Sequence, residues 1–566
     1  MDVDKLSMPA IILLDLLILI PWRDFDDIRL CGKKFVTRGI IQTIFLRVLS
    51  IKYLPILWFI LVYSDYSSPF RNLPGPHDDN IIFGQEVGKF LAESPVELQL
   101  KWMRKWPDAP FIKYPSFAGR KVLLVNSLAA YKTVLQTHAY DFVKPPFFAR
   151  LVGEITGVGL LFAEGESHKH ERRLLAGPFS VPSMRKLLPV FREKARDLSD
   201  EFEELLGGKP YATVEAIETL SKSTMDTIGV TVLGIELNTI SSMYPRSFQE
   251  LYGQILHQEP AGQLISVINA FIPIRKFLPF GANRRFIQAT TDLRNMLREI
   301  IQKRAAELAD GTFKKNIGES RDLLTYMLEE AQLRRKETGK EDWSVDDIIG
   351  HLLNFTSAGH ESTATTISWS LYVLATNHHI QDRLRSEINS LLEANPEPDY
   401  DAIFGLPFLH NFIREVLRLY PPSYMAQRKA TRNLTIENVL IPKDTQLDII
   451  IPAAHQHPSI WGPSAAVFDP DRWTALTGTA ASPFAFEAFL QGPRTCPGRN
   501  FALIEVKAVL VELVPKWRFL GIERKKGGEM LMDGEERVGR GVKLANPSLT
   551  YRPADGLFVR FERFRG

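Results

Sequence analysis

One segment near the C-terminus constrains this chain more than any other, because it places a solitary cysteine in a glycine- and proline-containing turn. It runs from Phe489 to Arg499 and reads FLQGPRTCPGR, and residues 501–513 after it have the apolar spacing of a helix. Cys496 is therefore expected just ahead of a helix N-terminus, where unpaired N–H groups and the helix dipole stabilise a thiolate. The other cysteine, Cys31, is far away in the sequence, which excludes a disulfide framework and a zinc site built on paired cysteines.

The residues around Cys496 suit a flat ligand that carries carboxylates. Gly492 permits a tight turn, and Gly498 allows the backbone to approach such a ligand closely. Arg494 offers a planar cation that can pair with a carboxylate. A buried and inert cysteine is the alternative interpretation of the same loop.

The loop resembles the haem-binding signature of the cytochrome P450 family, Phe-x-x-Gly-x-Arg-x-Cys-x-Gly, with all five fixed residues at the right spacing. The resemblance implies that Cys496 is the axial thiolate ligand of the iron of haem b. It further implies that Phe489 shields the sulfur and that Arg494 binds a haem propionate. The expected fold is cytochrome P450-like, mainly α with a small β subdomain.

A second match joins three charged residues. Glu415 and Arg418 share one face of a predicted helix, and the segment FDPDRW further along the chain contributes Arg472. In the family, these three side chains form a buried triad. The resemblance implies that the triad braces the haem-binding core and takes no part in the chemistry.

A third match, AGHEST at 358–363, lies within a helix predicted over 345–376. Monooxygenation needs protons delivered into an otherwise dry pocket. Glu361 and Ser362, beside a glycine expected to widen the helix, supply the carboxylate and hydroxyl for such a relay. The family usually has threonine after the acid, so Ser362, with Thr363 one position later, predicts a looser hydroxyl and some loss of electrons to peroxide. A helix with a harmless small-residue kink is the alternative.

The resemblance assigns three more residues to the haem propionates. Arg172 occupies the arginine position of a family pattern, Trp-x-x-x-Arg, in which this chain has His168 instead of tryptophan. Histidine can still donate a hydrogen bond. Arg428, six residues after Pro422, resembles the other propionate-binding arginine of the family.

Two apolar stretches near the N-terminus, residues 8–22 and 40–63, predict a retained membrane anchor. The second has the ~20 residues needed to span a bilayer, and the acidic start of the chain does not fit a cleaved signal peptide. A buried amphipathic hairpin is the alternative, and the basic residues between the stretches leave the number and orientation of spans open. We therefore predict an anchor region at 1–66, a stiff Pro-rich connector at 67–76 and one haem-thiolate catalytic domain at 77–566.

Beyond the connector, helical periodicity predominates, with strand-like runs at 122–125, 447–451 and 557–561. The fold class is therefore mainly α with a small β part. By analogy with the family, substrate contacts are expected in residues 147–162 and 264–280. The residues expected nearest the haem are Phe355, Ala358, Met425 and Leu549.

The resemblance implies a fungal, microsomal monooxygenase of the endoplasmic reticulum membrane, with its catalytic domain facing the cytoplasm. One oxygen atom would enter a lipophilic molecule, such as a fungal secondary metabolite, a terpenoid, a polyketide or a fatty-acid-like compound, and the other would leave as water. The chain has no flavin or nicotinamide fingerprint. Electrons are therefore expected from a separate NADPH–cytochrome P450 reductase, with cytochrome b5 as a further candidate donor.

Two alternatives to this function remain at the level of sequence. One is a haem-thiolate isomerase or dehydratase that needs no dioxygen, and the other is a non-catalytic haem carrier or sensor. The net charge of +3 gives no indication of nucleic-acid binding.

Overall fold

The structure is a computed structural model, and the residues that it describes cover most of the chain after the predicted anchor. They are 68–77, 80, 83–240, 248–256, 258–313, 321–339, 343–523, 530–531, 542–546, 548 and 550–565. Both N-terminal apolar stretches, Cys31 and Leu549 lie outside these residues. Among the helices that the structure does describe, none is both long enough and apolar enough to cross a bilayer.

Helices make up most of the described chain, which confirms the mainly α prediction. The α-helices are α1 (Glu86–Leu91), α2 (Glu97–Lys105), α3 (Leu128–Lys132), α4 (Pro146–Thr156), α5 (Gly165–Leu174), α6 (Val181–Leu206), α7 (Ala216–Ile228), α8 (Phe248–Leu256), α9 (Pro260–Phe271), α10 (Gly281–Ala309), α11 (Leu323–Thr338), α12 (Val345–Thr376), α13 (His378–Ala394), α14 (Tyr400–Phe404), α15 (Pro407–Leu419), α16 (Ile451–His455), α17 (Pro458–Trp461) and α18 (Arg499–Lys516).

The strands form small sheets beside the helices. They are β1 (Phe111–Pro115), β2 (Lys121–Val125), β3 (Phe142–Val143), β4 (Ala212–Glu215), β5 (Met425–Ala430), β6 (Leu434–Ile436), β7 (Val439–Ile441), β8 (Gln446–Ile450), β9 (Trp517–Glu523), β10 (Met530–Leu531) and β11 (Phe558–Arg563).

One sheet has the order β1-β2-β8-β5-β3 and a second has the order β10-β9-β11-β4, while β6 and β7 pair with each other. Strands β2 and β8 are parallel, and every other neighbouring pair is antiparallel. The three predicted runs fall at β2, β8 and β11. The predicted end at Ile451 is one residue too long, because Pro452 has no N–H to pair in a sheet and instead occupies the first turn of α16.

Four long helices, α6, α7, α12 and α18, pack on one another and form the centre of the apolar core. Helix α12 has the predicted bounds and starts with a capping box between Ser344 and Asp347. Every residue from Thr363 to the end of this helix is buried, as expected for a helix surrounded by other elements. The helix predicted after the cysteine lies within α18, which begins three residues after Cys496.

The Pro-rich connector packs against the five-stranded sheet. Residues 68–76 form turns and irregular structure. The Phe70 ring is buried in an apolar cluster with side chains of that sheet, and the N–H of Lys113 donates to the carbonyl oxygen of Pro74 (2.9 Å). A Cβ at Gly75 would collide with the carbonyl oxygen of Lys113, so this close approach requires glycine.

The carboxylate of Glu415, on α15, is fully buried and receives hydrogen bonds from three side chains. Arg418 donates to both carboxylate oxygens (2.8 Å each), Arg472 donates to Oε1 (2.9 Å) and the indole of Trp473 donates to Oε2 (3.0 Å). The backbone N–H of Asp469 adds a fourth donor at 2.8 Å. The structure thus brings the three predicted triad residues together, and it adds Trp473 and Asp469, which sequence patterns did not identify.

We expect Glu415→Gln to lower the free energy of unfolding by ~3–5 kcal/mol, because Arg418 and Arg472 would remain buried without a counter-charge. Urea unfolding followed by tryptophan fluorescence measures the change.

The matched control is Glu397→Gln. Glu397 forms ion pairs with Arg192 and Arg196, but its side chain is 70% exposed. We therefore expect this substitution to lower the free energy of unfolding by less than ~1 kcal/mol. Equal losses in the two variants would contradict the bracing role of Glu415.

Candidate active site

The cysteine loop is a tight turn directly ahead of α18. Gly492 has a φ of +75°, and a Cβ there would collide with the carbonyl oxygen of Leu135, so both conformation and space require glycine. The N–H of Cys496 donates to the carbonyl oxygen of Phe489 across the turn (2.8 Å). Gly498 is the N-cap residue of α18. The loop therefore fixes Cys496 relative to the first turn of this helix.

Opposing effects act on the pKa of the Cys496 thiol. Burial raises its pKa, whereas the N–H of Gly498 and the charges of Arg172 and Arg499 lower it, and the net shift is upward. A metal cation bound to the sulfur would reverse this shift, because coordination deprotonates a thiol. Among the described residues, a Cβ built on Gly498 would meet just the sulfur of Cys496 within 4 Å. This side of the loop therefore accommodates a flat ligand.

Three cationic side chains act on one another beside the loop: Lys144, Arg428 and Arg494. The charge of Arg172 acts on the thiol of Cys496 and on His168. The carboxylate of Glu164 lies among the three cations. Oε1 of Glu164 accepts hydrogen bonds from the backbone N–H (2.9 Å) and Nζ (3.3 Å) of Lys144, and Oε2 forms an ion pair with Arg494. The group keeps a surplus of positive charge, because one carboxylate balances only part of it.

Burial and mutual repulsion lower the pKa values of Lys144 and Arg428. Burial, with the charge of Arg494 second, lowers the pKa of Arg428 to about 10, against the opposing effect of Glu164. Burial also lowers the pKa of Lys144 to about 8. Among the described residues, the buried Nε of Arg494 has no hydrogen-bond partner. A ligand with two carboxylates fits this group, because it supplies the missing acceptors and balances the excess charge.

His168 lies against the same group and is neutral. Burial lowers its pKa to about 4, and the charges of Arg494 and Lys144 contribute to the shift. One ring nitrogen, Nδ1, hydrogen-bonds with the hydroxyl of Tyr140 (3.1 Å). Such a histidine can donate one hydrogen bond to a carboxylate but cannot form an ion pair with it.

The predicted proton-relay segment presents Ser362 on a partly exposed face of α12. Ala358 and Ser362 lie one turn apart on this face, and the hydroxyl of Ser362 donates to the carbonyl oxygen of Ala358 (2.5 Å). Thr363 is buried on another side of the helix, where its hydroxyl lies beside the buried carboxyl group of Glu505. The accessible hydroxyl after the acid is therefore that of Ser362.

Gly359 has a different structural role from the one expected. Helix α12 is continuous through this residue. A Cβ at Gly359 would collide with Cδ1 of Ile228, so glycine lets α7 pack closely against α12. Next to this contact, the hydroxyl of Thr224, on α7, donates to the carbonyl oxygen of His360 (3.0 Å).

Three residues expected near the ligand, Phe355, Met425 and Phe489, have the following positions and contacts in the structure. The ring of Phe355 stacks on that of Phe179, with centroids 5.0 Å apart. Met425 is the half-buried first residue of β5, and the guanidinium of Arg499 lies 5.9 Å from the ring centroid of Phe489.

Sequence reasoning missed Lys144 and Glu164 at this site. Neither belongs to a recognisable motif, and both are more than 300 residues from Arg494 in the chain. The structure alone brings them into contact, so no sequence signal could have identified them.

The cytochrome P450 family model matches residues 113–534, which include the cysteine loop and all of α12. Cytochrome P450 monooxygenase 128 of Postia placenta is 30% identical, over 80% of this chain and 87% of that protein. Cytochrome P450 monooxygenase ALT8 of Alternaria alternata is 27% identical, over 90% of this chain and 93% of that protein. The sphH cytochrome P450 monooxygenase of Aspergillus fumigatus is also 27% identical, with coverages of 90% and 91%.

The match to the family model extends over most of the chain, and the relatives align along almost their whole length. The chain belongs to the cytochrome P450 family of haem-thiolate monooxygenases.

Proposed function

We propose that this protein is a membrane-attached monooxygenase that inserts one atom of dioxygen into a lipophilic small molecule, with electrons from a separate NADPH-dependent reductase. The observation that carries the proposal is the surplus of buried positive charge beside the loop of Cys496. A haem, which bears two carboxylates and an iron that binds thiolate, satisfies both features of this loop.

The residues of the chain have separate roles in holding the haem. Cys496 supplies the thiolate ligand, Gly492 and Gly498 shape the loop, and Phe489 shields the sulfur. Arg172, Arg428 and Arg494 bind the propionates, and neutral His168 donates a hydrogen bond to one of them. When bound, the haem supplies the iron at which dioxygen is reduced and one oxygen atom is transferred to substrate.

We expect the reduced protein to show, with carbon monoxide, the red-shifted Soret band of thiolate-ligated haem, and Cys496→His to lose it. An imidazole ligand in place of the thiolate donates less electron density to the iron. The measurement is the reduced carbon-monoxide difference spectrum of the full chain.

The matched control is Cys31→Ser, which removes the other cysteine of the chain and should retain the band. A thiolate band that persists in Cys496→His, or disappears in Cys31→Ser, would contradict the assignment.

Proton delivery is the proposed role of Glu361 and Ser362. Both side chains lie on the partly exposed side of α12, and together they offer a carboxylate and a hydroxyl that can pass protons through water. An isomerase or dehydratase needs no such delivery to reduced dioxygen, so this pair favours monooxygenation over those reactions.

We expect Ser362→Ala to raise the fraction of consumed dioxygen that is released as hydrogen peroxide several-fold. Formation of water takes more protons and electrons per dioxygen than formation of peroxide, so slow proton delivery favours peroxide. The assay follows NADPH, dioxygen and peroxide with added reductase and needs no substrate.

Thr363→Val is the control, because this hydroxyl is buried on another side of α12. An unchanged peroxide fraction in Ser362→Ala, or an equal rise in Thr363→Val, would argue against a relay through Ser362. Absence of NADPH consumption in the wild type would indicate a haem carrier.

Arg499, in the first turn of α18, offers a basic contact for the electron donor. Burial lowers the pKa of His410 to about 4, and the charges of Lys507, Arg414 and Arg499 add to the effect. Lys507 is fully buried and donates to the carbonyl oxygen of Phe404 (2.5 Å), so it does not belong to the exposed contact. Arg499 is exposed, so it can meet an acidic partner surface near Cys496. Arg494, buried beside Glu164, cannot contribute to this surface.

Membrane attachment involves both the N-terminal apolar stretches and a surface of the folded part. Helix α9 and the turn after it expose apolar side chains, with Phe277 81% exposed and Leu264 61% exposed. The others are Val267, Phe271 and Phe280. Lys276 lies exposed between them. Apolar rings beside a cation suit the interface of a bilayer, which supports the proposed membrane attachment. The membrane that we propose is that of the endoplasmic reticulum, with the catalytic part of the protein facing the cytoplasm.

We expect a photo-crosslinking amino acid at Phe277 to form adducts with lipid when the full chain is reconstituted in bilayer nanodiscs. An exposed ring on this surface should lie at the headgroup level. Mass spectrometry of the lipid adducts provides the measurement.

The control position is Val467, an exposed apolar residue beside the triad, where we expect no lipid adducts. Similar adduct yields at the two positions would refute the orientation.

A further inference from the structure

The carboxylate of Glu361 has a specific neutral partner in the C-terminal segment. The hydroxyl of Thr550 donates to Oε1 of Glu361 over 2.8 Å, and Thr550 is almost completely buried. In the described part of the chain, Glu361 forms no ion pair with a lysine, arginine or histidine. A residue 189 positions away in the sequence therefore orients this acid.

The segment that carries Thr550 is itself held in place. The N–H of Tyr551 donates to the carbonyl oxygen of Pro422 (2.9 Å), and the indole of Trp369 donates to the carbonyl oxygen of Tyr551 (2.7 Å). Because Trp369 and Glu361 both belong to α12, the segment is attached to the helix at two points about two turns apart. The hydroxyl of Thr550 is thus fixed relative to the backbone of Glu361.

The described surroundings of Glu361 include a second neutral group. Tyr252, on α8, is fully buried nearby, and its ring packs edge-on against that of His360, with centroids 5.3 Å apart. Burial raises the pKa of Tyr252, and the negative charge of Glu361 adds to this rise. A phenol in this setting stays neutral, so it neither neutralises Glu361 nor takes its proton.

We propose that Thr550 is a positioning residue that directs the carboxylate of Glu361 and thereby sets the efficiency of proton delivery past Ser362. The proposal rests on the proposed role of Glu361 as the relay acid. A hydroxyl donor fixes the direction of a carboxylate and stabilises its charged form, as a cation would. Unlike a cation, it holds the carboxylate without forming an ion pair with it.

The test measures how dioxygen reduction is divided between peroxide and water. Release of peroxide uses two electrons and two protons per dioxygen, whereas full reduction to water uses four of each, with NADPH and the reductase supplying the electrons. We expect Thr550→Val, which keeps the shape of the side chain but removes the hydroxyl, to raise the ratio of peroxide to water roughly threefold to tenfold. This is a small part of the 10²- to 10⁴-fold that positioned proton transfer contributes. Thr550→Ser, which keeps the hydroxyl, should stay close to the wild-type ratio.

Two further variants separate this inference from the proposed function. Glu361→Gln should raise the ratio on its own, and adding Thr550→Val to it should have no additional effect, because the two residues act through one contact. An unchanged ratio in Glu361→Gln would overturn the relay role itself. A raised ratio in Glu361→Gln with an unchanged ratio in Thr550→Val would overturn only the role of Thr550.

Thr376→Val controls for the loss of a buried hydroxyl. Thr376 lies at the far end of α12, and its hydroxyl donates to the carbonyl oxygen of Tyr372 (2.8 Å). The carbon-monoxide difference spectrum and the thermal midpoint show whether each variant is folded and loaded with haem. An equal rise in the peroxide ratio of Thr376→Val, or in that of Thr550→Ser, would overturn the proposal.

Discussion

The buried carboxylate of Glu415 is the constraint on which the position of the cysteine loop depends. A charge without solvent is stable only if its hydrogen-bond donors are all in place, so Arg418, Arg472 and Trp473 must converge on it. His455 connects this cluster to the segment just before the cysteine loop. Its Nδ1 donates to the carbonyl oxygen of Arg418 (2.9 Å), and its Nε2 accepts a hydrogen bond from the N–H of Glu487 (2.7 Å). Burial lowers the pKa of His455 to about 3, so the ring is neutral and serves as donor at one nitrogen and acceptor at the other.

Charge is distributed unevenly around the proposed haem site. The cations are concentrated at one edge, where Arg428 and Arg494 share the single carboxylate of Glu164 with Lys144. The partly exposed face of α12 carries small or weakly polar groups, with Glu361 as its acid. Fixed positive charge thus suits an anionic edge of the proposed haem. Within the described part of the chain, no lysine or arginine forms an ion pair with Glu361, the proposed relay acid.

Close packing around α12 determines which of its side chains are accessible, including those of the proposed proton relay. Gly359 allows α7 to pack closely against the helix, and Thr363 turns its hydroxyl into the buried interior. These two contacts fix the rotation of α12, because a rotated helix would push a side chain into Ile228 or expose the buried face. That rotation determines that Ser362, and not its neighbour, has the accessible hydroxyl.

The sequence by itself determined those helices and turns that depend on residues close together in the chain. Apolar periodicity predicted the bounds of α12, and the turn at Gly492 followed by an apolar helical pattern predicted the cysteine at the start of α18. It also predicted the mainly α fold and the family, because the fixed residues of the loop stand close together in the chain.

Only the tertiary structure decided which distant residues meet. Glu164 and Lys144 join Arg494, and Thr550 reaches Glu361, because helices and strands far apart in sequence pack side by side, and no short-range pattern records such long-range contacts.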